Sequence, residues 1–382
     1  KFPTIKTMGM GMGMMGNFQC DRGNSLVFSF LLILLNITKA SCFSTNPPNC
    51  QSATATSSLG ADVMKQLVLD AAHDDTLKTL DVKGIMWMEH INLVVGSKPL
   101  AETFYFDLLG FSKDRSSSFH CNLGQQQFHL AETGDPAQRV TGSIGLVIPS
   151  LKNLRERVDA FKDVFSSTQF EIVQDEGDWM TVVCPWGNWL HLYDISMDLK
   201  LEKLSDSPQK MVQLHADGGS YAANRIGIRG NPGIRYIEIA CRPGTATAIA
   251  KFYEEILECS VYTPKDDQAF ISVGPGVHLG FVENENLSEQ DIKAMEGVHI
   301  CVYAHNFKGL YDRLKARGLI WTNPRFTHLD SCDTWEEANA SRTLRFKDII
   351  DLGTGEKVLE LEHETRALRH GQYMKVPFYE PK

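Results

Sequence analysis

MEHINLVVGSKPLAETFYFDLLGF, residues 88–111, carries the pattern from which the rest of the chain is read. His90, Asn92 and Val94 alternate with apolar neighbours, which is the period of a half-buried strand, and Ala101 to Leu109 then carries apolar residues at helical spacing. A strand thus delivers a histidine and a helix packs behind it. The phrase returns at 235–259, RYIEIACRPGTATAIAKFYEEILEC. From His90 to Tyr105 is 15 positions, and from Glu238 to Tyr253 is again 15, so a residue able to bind a metal recurs in register.

Further repeats follow. LGQQQFHLAE at 123–132 is answered by VGPGVHLGFV at 273–282, which sets His129 against His278. GSIGLVIPSLKNLRERVDAF, beginning at Gly142, is echoed by VHICVYAHNFKGLYDRLKARG, beginning at Val298, and the same offset carries Ser143 onto His299. CPWGNWLHLYD at 184–194 turns through a glycine into a strand with His191 and Tyr193 on one face. GTGEKVLELEHE at 353–364 does the same with Glu360 and Glu362. Four units of strand, helix and further strands account for residues 85–365.

The junction between units two and three, 196–231, is long, polar and glycine-containing, and the other junctions are short. Short links join neighbours, so units one and two are expected to form an N-terminal domain over 85–200 and units three and four a C-terminal domain over 232–366. Residues 201–231 are then a linker and 367–382 a tail. The linker also permits a crossed pairing, one with four and two with three.

Units of the form βαβββ, an FY…LGF helix end and a glycine turn before the last strand together resemble the vicinal oxygen chelate superfamily, which includes glyoxalase I and the extradiol dioxygenases. The resemblance implies an α+β fold in which four βαβββ modules pair into two concave mixed sheets, incomplete barrels, with ligands on the first and last strands of each module. Carried over, it offers His90, His129 and His191 in the N-terminal half, with Ser143 at the fourth position. In the C-terminal half it offers Glu238, His278, His299 and Glu360, with Glu362 as the alternative to Glu360. Imidazole and carboxylate together suit a divalent ion such as zinc, nickel, manganese or iron.

The C-terminal set resembles that of glyoxalase I, although His278 stands where a glutamate is usual. This implies a metal-dependent lyase or isomerase acting on a small carbonyl or hydroxy-carbonyl compound, a thiol adduct among them, with Glu360 as base and ligand and Glu238 second. Two other readings stand beside it: a non-haem iron dioxygenase, and a metal-free protein that binds small molecules. A strand histidine alone is more often a hydrogen-bonded core residue than a ligand, and the recurrence in register is what favours a metal.

Composition narrows the classes. The chain has 382 residues, 43% of them hydrophobic, enough for two cores. With 38 basic and 47 acidic residues, a formal net charge of −9, it does not read as a nucleic-acid binder held by phosphate contacts. Its partner is expected to be a small molecule, and the chain a monomer or homodimer. Nine cysteines without a CxxC pair read as buried reduced thiols, not as a disulfide framework or a thiolate zinc site.

Residues 1–84 read as a targeting presequence and spacer, with the coding start expected at Met8 or a later methionine. The apolar run LVFSFLLILL at 26–35, preceded by Arg22 and followed by small residues, reads as a signal peptide. The Ser- and Thr-rich stretch 43–58 that follows has the composition of a transit peptide. A bipartite route to a plastid is expected, with no membrane segment after its removal. Secretion or an endomembrane lumen is the alternative.

Overall fold

The computed structural model describes residues 84–114, 120–124, 126–177, 179–196, 232–263, 265–274 and 277–373. The expected presequence up to residue 83 and the linker 201–231 lie outside the described residues. No helix among the described residues is long and apolar enough to cross a membrane.

Unit one runs β1 (Ile85–Val94), α1 (Lys98–Glu102) continuing as a π-helical turn (Thr103–Leu108), β2 (Ser112–Lys113), β3 (His120–Leu123) and β4 (Gln126–Ala131). Unit two runs β5 (Ser143–Ile148), α2 (Leu151–Phe165), β6 (Glu171–Asp175), β7 (Trp179–Val183) and β8 (Trp189–Asp194). Unit three runs β9 (Gly233–Cys241), α3 (Ala246–Glu255), β10 (Val261–Tyr262), β11 (Gln268–Ser272) and β12 (His278–Glu283). After α4 (Glu289–Met295), unit four runs β13 (His299–Ala304), α5 (Phe307–Ala316), α6 (Trp335–Ser341), β14 (Thr343–Ile350) and β15 (Lys357–Ala367). Here a second helix stands where the other units have a strand.

The helices start where side chains satisfy their first free N–H groups. Ser150 accepts from Asn153 N at the head of α2, and Ser288 with Asp291 and Thr334 with Glu337 form capping boxes on α4 and α6. Leu151, Leu154, Val158 and Phe165 then line the buried side of α2 at helical spacing.

The strands form a seven-stranded sheet, β14-β15-β13-β1-β4-β3-β2, and an eight-stranded one, β10-β11-β12-β9-β5-β8-β7-β6. Unit one therefore shares its sheet with unit four, and unit two with unit three. The first strands meet antiparallel in each, β1 with β13 and β5 with β9. The expected pairing of one with two and three with four is corrected to the crossed one. Loop 132–142 between units one and two passes from one sheet to the other, with Gln138 N bonding Val94 O on the first and Thr141 Oγ1 bonding Ala240 O on the second. A short link spans two layers as easily as one sheet, so link length does not identify sheet partners.

Aromatic packing joins the layers. Phe104 of unit one meets Phe165 of unit two at 6.0 Å, and Phe252 of unit three meets Phe346 of unit four at the same distance. Tyr253 Oη donates to the buried His363 Nε2 at 2.9 Å.

Candidate metal centre

In the sheet of units one and four, three strands put His90, Cys301 and Glu364 side by side. Cys301 on β13 is the register partner of His90 on β1 and of Glu364 on β15. His299 lies two residues before Cys301 and therefore on the same face. His90 Nε2 is 3.9 Å from Glu364 Oε2 and His299 Nε2 is 3.8 Å from it. One ligand atom from each of the three lies within 4.8 Å of the others. A register shift between Met88 and His90 lets Glu89 reach the same group, with its Oε1 3.4 Å from His90 Nδ1.

Charge is concentrated here. Four buried carboxylates, Glu89, Asp330, Glu362 and Glu364, face two guanidinium groups. Arg345 bonds Asp330, Glu362 and Glu364, and Arg366 bonds Glu364 and Glu89 at 2.6 and 2.8 Å. Burial works to raise the Glu364 carboxyl, but Arg366, Arg345 and the two histidines outweigh it and hold the group well below the carboxylate range. Glu89 is lowered in the same way, against burial, by His90, Arg366 and the Tyr303 hydroxyl that donates to it at 2.6 Å. Burial raises Glu362 despite Asn323 and Arg345, and it drives His299 well below its ordinary value although Glu364 opposes.

A divalent ion fits this arrangement. His90 Nε2, the nitrogen that faces Glu364, is buried without a hydrogen-bond partner, a costly condition that a ligand relieves. Two groups bound to one ion are roughly 3–3.5 Å apart given bonds of about 2.1 Å, so each histidine needs to close on Glu364 by well under an ångström. The four carboxylates also outnumber the guanidinium groups of Arg345, Arg366 and the nearby Arg325, so a cation is accommodated.

His129 stands beside the group without joining it. Its ring stacks on His90 at 3.6 Å and on His120 at 3.6 Å, and its Nε2 bonds Gln127 Oε1 at 2.9 Å. Burial first, and then His90 and His120, hold it well below the usual histidine value.

The sheet of units two and three carries Ser143, His191, Glu238 and His278, but its centre is taken by a tyrosine. Tyr236 Oη lies 2.5 Å from His191 Nδ1 and 3.3 Å from Tyr193 Oη. Gly145 makes the room, since a Cβ there would come within 2.0 Å of the Tyr236 ring. Burial lowers His191 and raises Glu238. Among the described residues, the groups of three or more candidate ligands fall in the other sheet.

The two ligand sets expected from the sequence are thus redistributed. His90 and His129 share a sheet with His299 and Glu360, while His191 shares one with Glu238 and His278. Glu360 is on the same strand as Glu364 but further out, held by Lys347 and Lys357 at 2.9 and 2.8 Å, and these contacts lower its carboxyl against the effect of burial. With Glu362 it lines a pocket of about 220 Å³ that also takes in Trp321, Asn323, Arg325 and Lys347. Glu364 and Glu89 went unread in the sequence. Glu364 was legible as the third member of the alternation Glu360, Glu362, Glu364, whereas nothing in the sequence signals the bulge that turns Glu89 inward.

Two sheets, each built from two repeat units joined antiparallel through their first strands, with polar groups on the first and last strands of each unit, settle the architecture. The chain has the vicinal oxygen chelate fold. A scan of protein-family models finds no match, and a search of curated proteins finds no similar one. Among solved structures, the chain is similar to glyoxalase I from Zea mays at 10% identity and a TM-score of 0.41, covering 74% of this chain and 92% of that one. It is also similar to the 2,3-dioxygenase LapB from Pseudomonas sp. KL28 at 14% identity and a TM-score of 0.23, covering 75% and 93%.

Proposed function

We propose that the protein is a metal-dependent enzyme that acts on a small hydroxy-carbonyl or dihydroxy-aromatic compound at the centre formed by His90, His299 and Glu364. The observation that carries this reading is the convergence of two buried imidazoles on one buried carboxylate, with the His90 nitrogen that faces it unsatisfied. Two histidines and one carboxylate are the facial ligand set of non-haem iron oxygenases, which leaves positions open for substrate and oxygen. The set therefore favours the dioxygenase reading over the lyase. When bound, the ion would polarise the substrate oxygens and, as ferrous iron, activate oxygen.

The remaining residues fix and feed that centre. Arg345 and Arg366 hold Glu364 anionic and in place, so it serves as a constant ligand and makes a poor proton acceptor. Glu89 orients the His90 ring. The pocket beside Glu362 receives the substrate, and Arg325 and Lys347 at its wall suit an acidic group.

The glyoxalase-type lyase remains the second reading on one observation. Glu362 lines the pocket and has a raised carboxyl, so it is the group placed to accept and return a proton. Anaerobic loading with ferrous iron followed by oxygen-electrode assays on dihydroxy-aromatic compounds separates the two. Oxygen uptake that needs both iron and substrate supports the dioxygenase. Oxygen-independent turnover of an aldehyde–thiol adduct, abolished by Glu362→Gln, supports the lyase.

A further inference from the structure

Cys301 occupies the middle of the row that carries the centre. It is fully buried and lies between His90 and Glu364 as register partner of both. Its Sγ is 3.7 Å from Glu364 Oε1. One ligand atom each from Glu89, His90 and Cys301 also lies within 4.8 Å of the others, a second candidate group that shares His90 with the first. His90 is 1% exposed, and its Nε2, without a hydrogen-bond partner, faces Glu364. A buried thiol packed only as a small apolar side chain has no need of a carboxylate and an unsatisfied imidazole beside it.

We propose that Cys301 is a thiolate ligand of the ion held by His90, His299 and Glu364, which makes the centre a mixed nitrogen, oxygen and sulfur site selective for thiophilic ions. The inference rests on the metal-centre reading above and goes beyond it in naming a ligand and a metal class. On binding, the S–H bond breaks, the sulfur electron pair goes to the ion and the proton leaves to solvent, with no change of oxidation state. Sulfur ligation favours zinc, cobalt, cadmium and iron over manganese and magnesium.

Titration of the full chain with cobalt(II), read by absorption, tests this. The wild type is expected to show visible ligand-field bands together with an intense sulfur-to-cobalt band in the near ultraviolet. Cys301→Ser should lose the near-ultraviolet band, keep the visible ones, and bind cadmium about tenfold or more weakly with manganese binding little changed. Visible bands without the near-ultraviolet band in the wild type, or a band that survives Cys301→Ser, would overturn the thiolate and leave the metal centre standing. Failure of cobalt to bind the wild type at all would overturn both. Should Cys301→Ser not fold, X-ray absorption on the zinc-loaded wild type decides: a sulfur neighbour supports the assignment, and a shell of nitrogen and oxygen alone overturns it.

Discussion

At the scale of single residues, Arg345 is the side chain on which the centre depends. It is buried and bonds Asp330, Glu362 and Glu364 at once. Arg345→Met removes the cation and leaves three buried carboxylates short of a partner, so a loss of about 3–5 kcal/mol is expected in urea unfolding. A loss under about 1 kcal/mol would show that the network does not hold the site. The histidines of the centre were legible because they recur in register. Arg345 and Glu89 were not, because a charged residue in a strand-like run does not reveal which carboxylates it meets across the sheet.

At the scale of elements, register explains why Glu364 and not Glu360 meets the histidines. In unit one the last-strand histidine, His129, pairs with Asn92, two residues beyond His90. In unit two His191 pairs with Gly145, two beyond Ser143. In unit four Glu364 pairs with Cys301, two beyond His299, so it is the counterpart of His129 and His191. Counting from the glycine turn leads to Glu360, which lies beyond the histidines because the β14–β15 hairpin runs out past them before it turns at Asp351–Glu356. Gly145 has a matching element-scale role. Gly145→Ala forces its Cβ into the Tyr236 ring and should cost about 1–3 kcal/mol, and a neutral result would mean that Tyr236 does not fill that centre.

The opposite face of β15 adds a pH dependence. His363 is fully buried, and burial holds it down to about 4, with its Nε2 accepting from Tyr253 and its Nδ1 donating to Leu361 O. Unfolded histidine takes its proton near pH 6.5, so this contribution is intact above that pH. It is lost as pH falls from 6.5 towards 4, by about 3 kcal/mol in all. Urea unfolding of the wild type and His363→Gln between pH 7.5 and 4.5 should show the variant's stability falling less steeply by about that amount. Parallel slopes would contradict the burial of a neutral ring.

At the scale of the whole molecule, the repeats revealed four units that each begin with a strand and a helix, but not which units share a sheet. Unit boundaries follow from hydrophobic period and turn residues, which are local, whereas pairing depends on how links cross between layers. The crossed topology predicts that residues 84–196 do not fold alone, since both β1 and β5 would lose their antiparallel partners and expose sheet edges. Co-expression with residues 232–373 should restore a soluble complex. A cooperative unfolding transition from 84–196 by itself would contradict the interdependence of the two halves.

The central claim is that β1, β13 and β15 together hold an ion. Elemental analysis of the purified full chain beside Glu364→Gln and Glu360→Gln tests it most directly. The account predicts about one divalent ion per chain in the wild type and in Glu360→Gln, and loss of it in Glu364→Gln. A wild type that cannot be loaded with any such ion, or one that loses it with Glu360→Gln and keeps it with Glu364→Gln, would contradict the assignment of the centre.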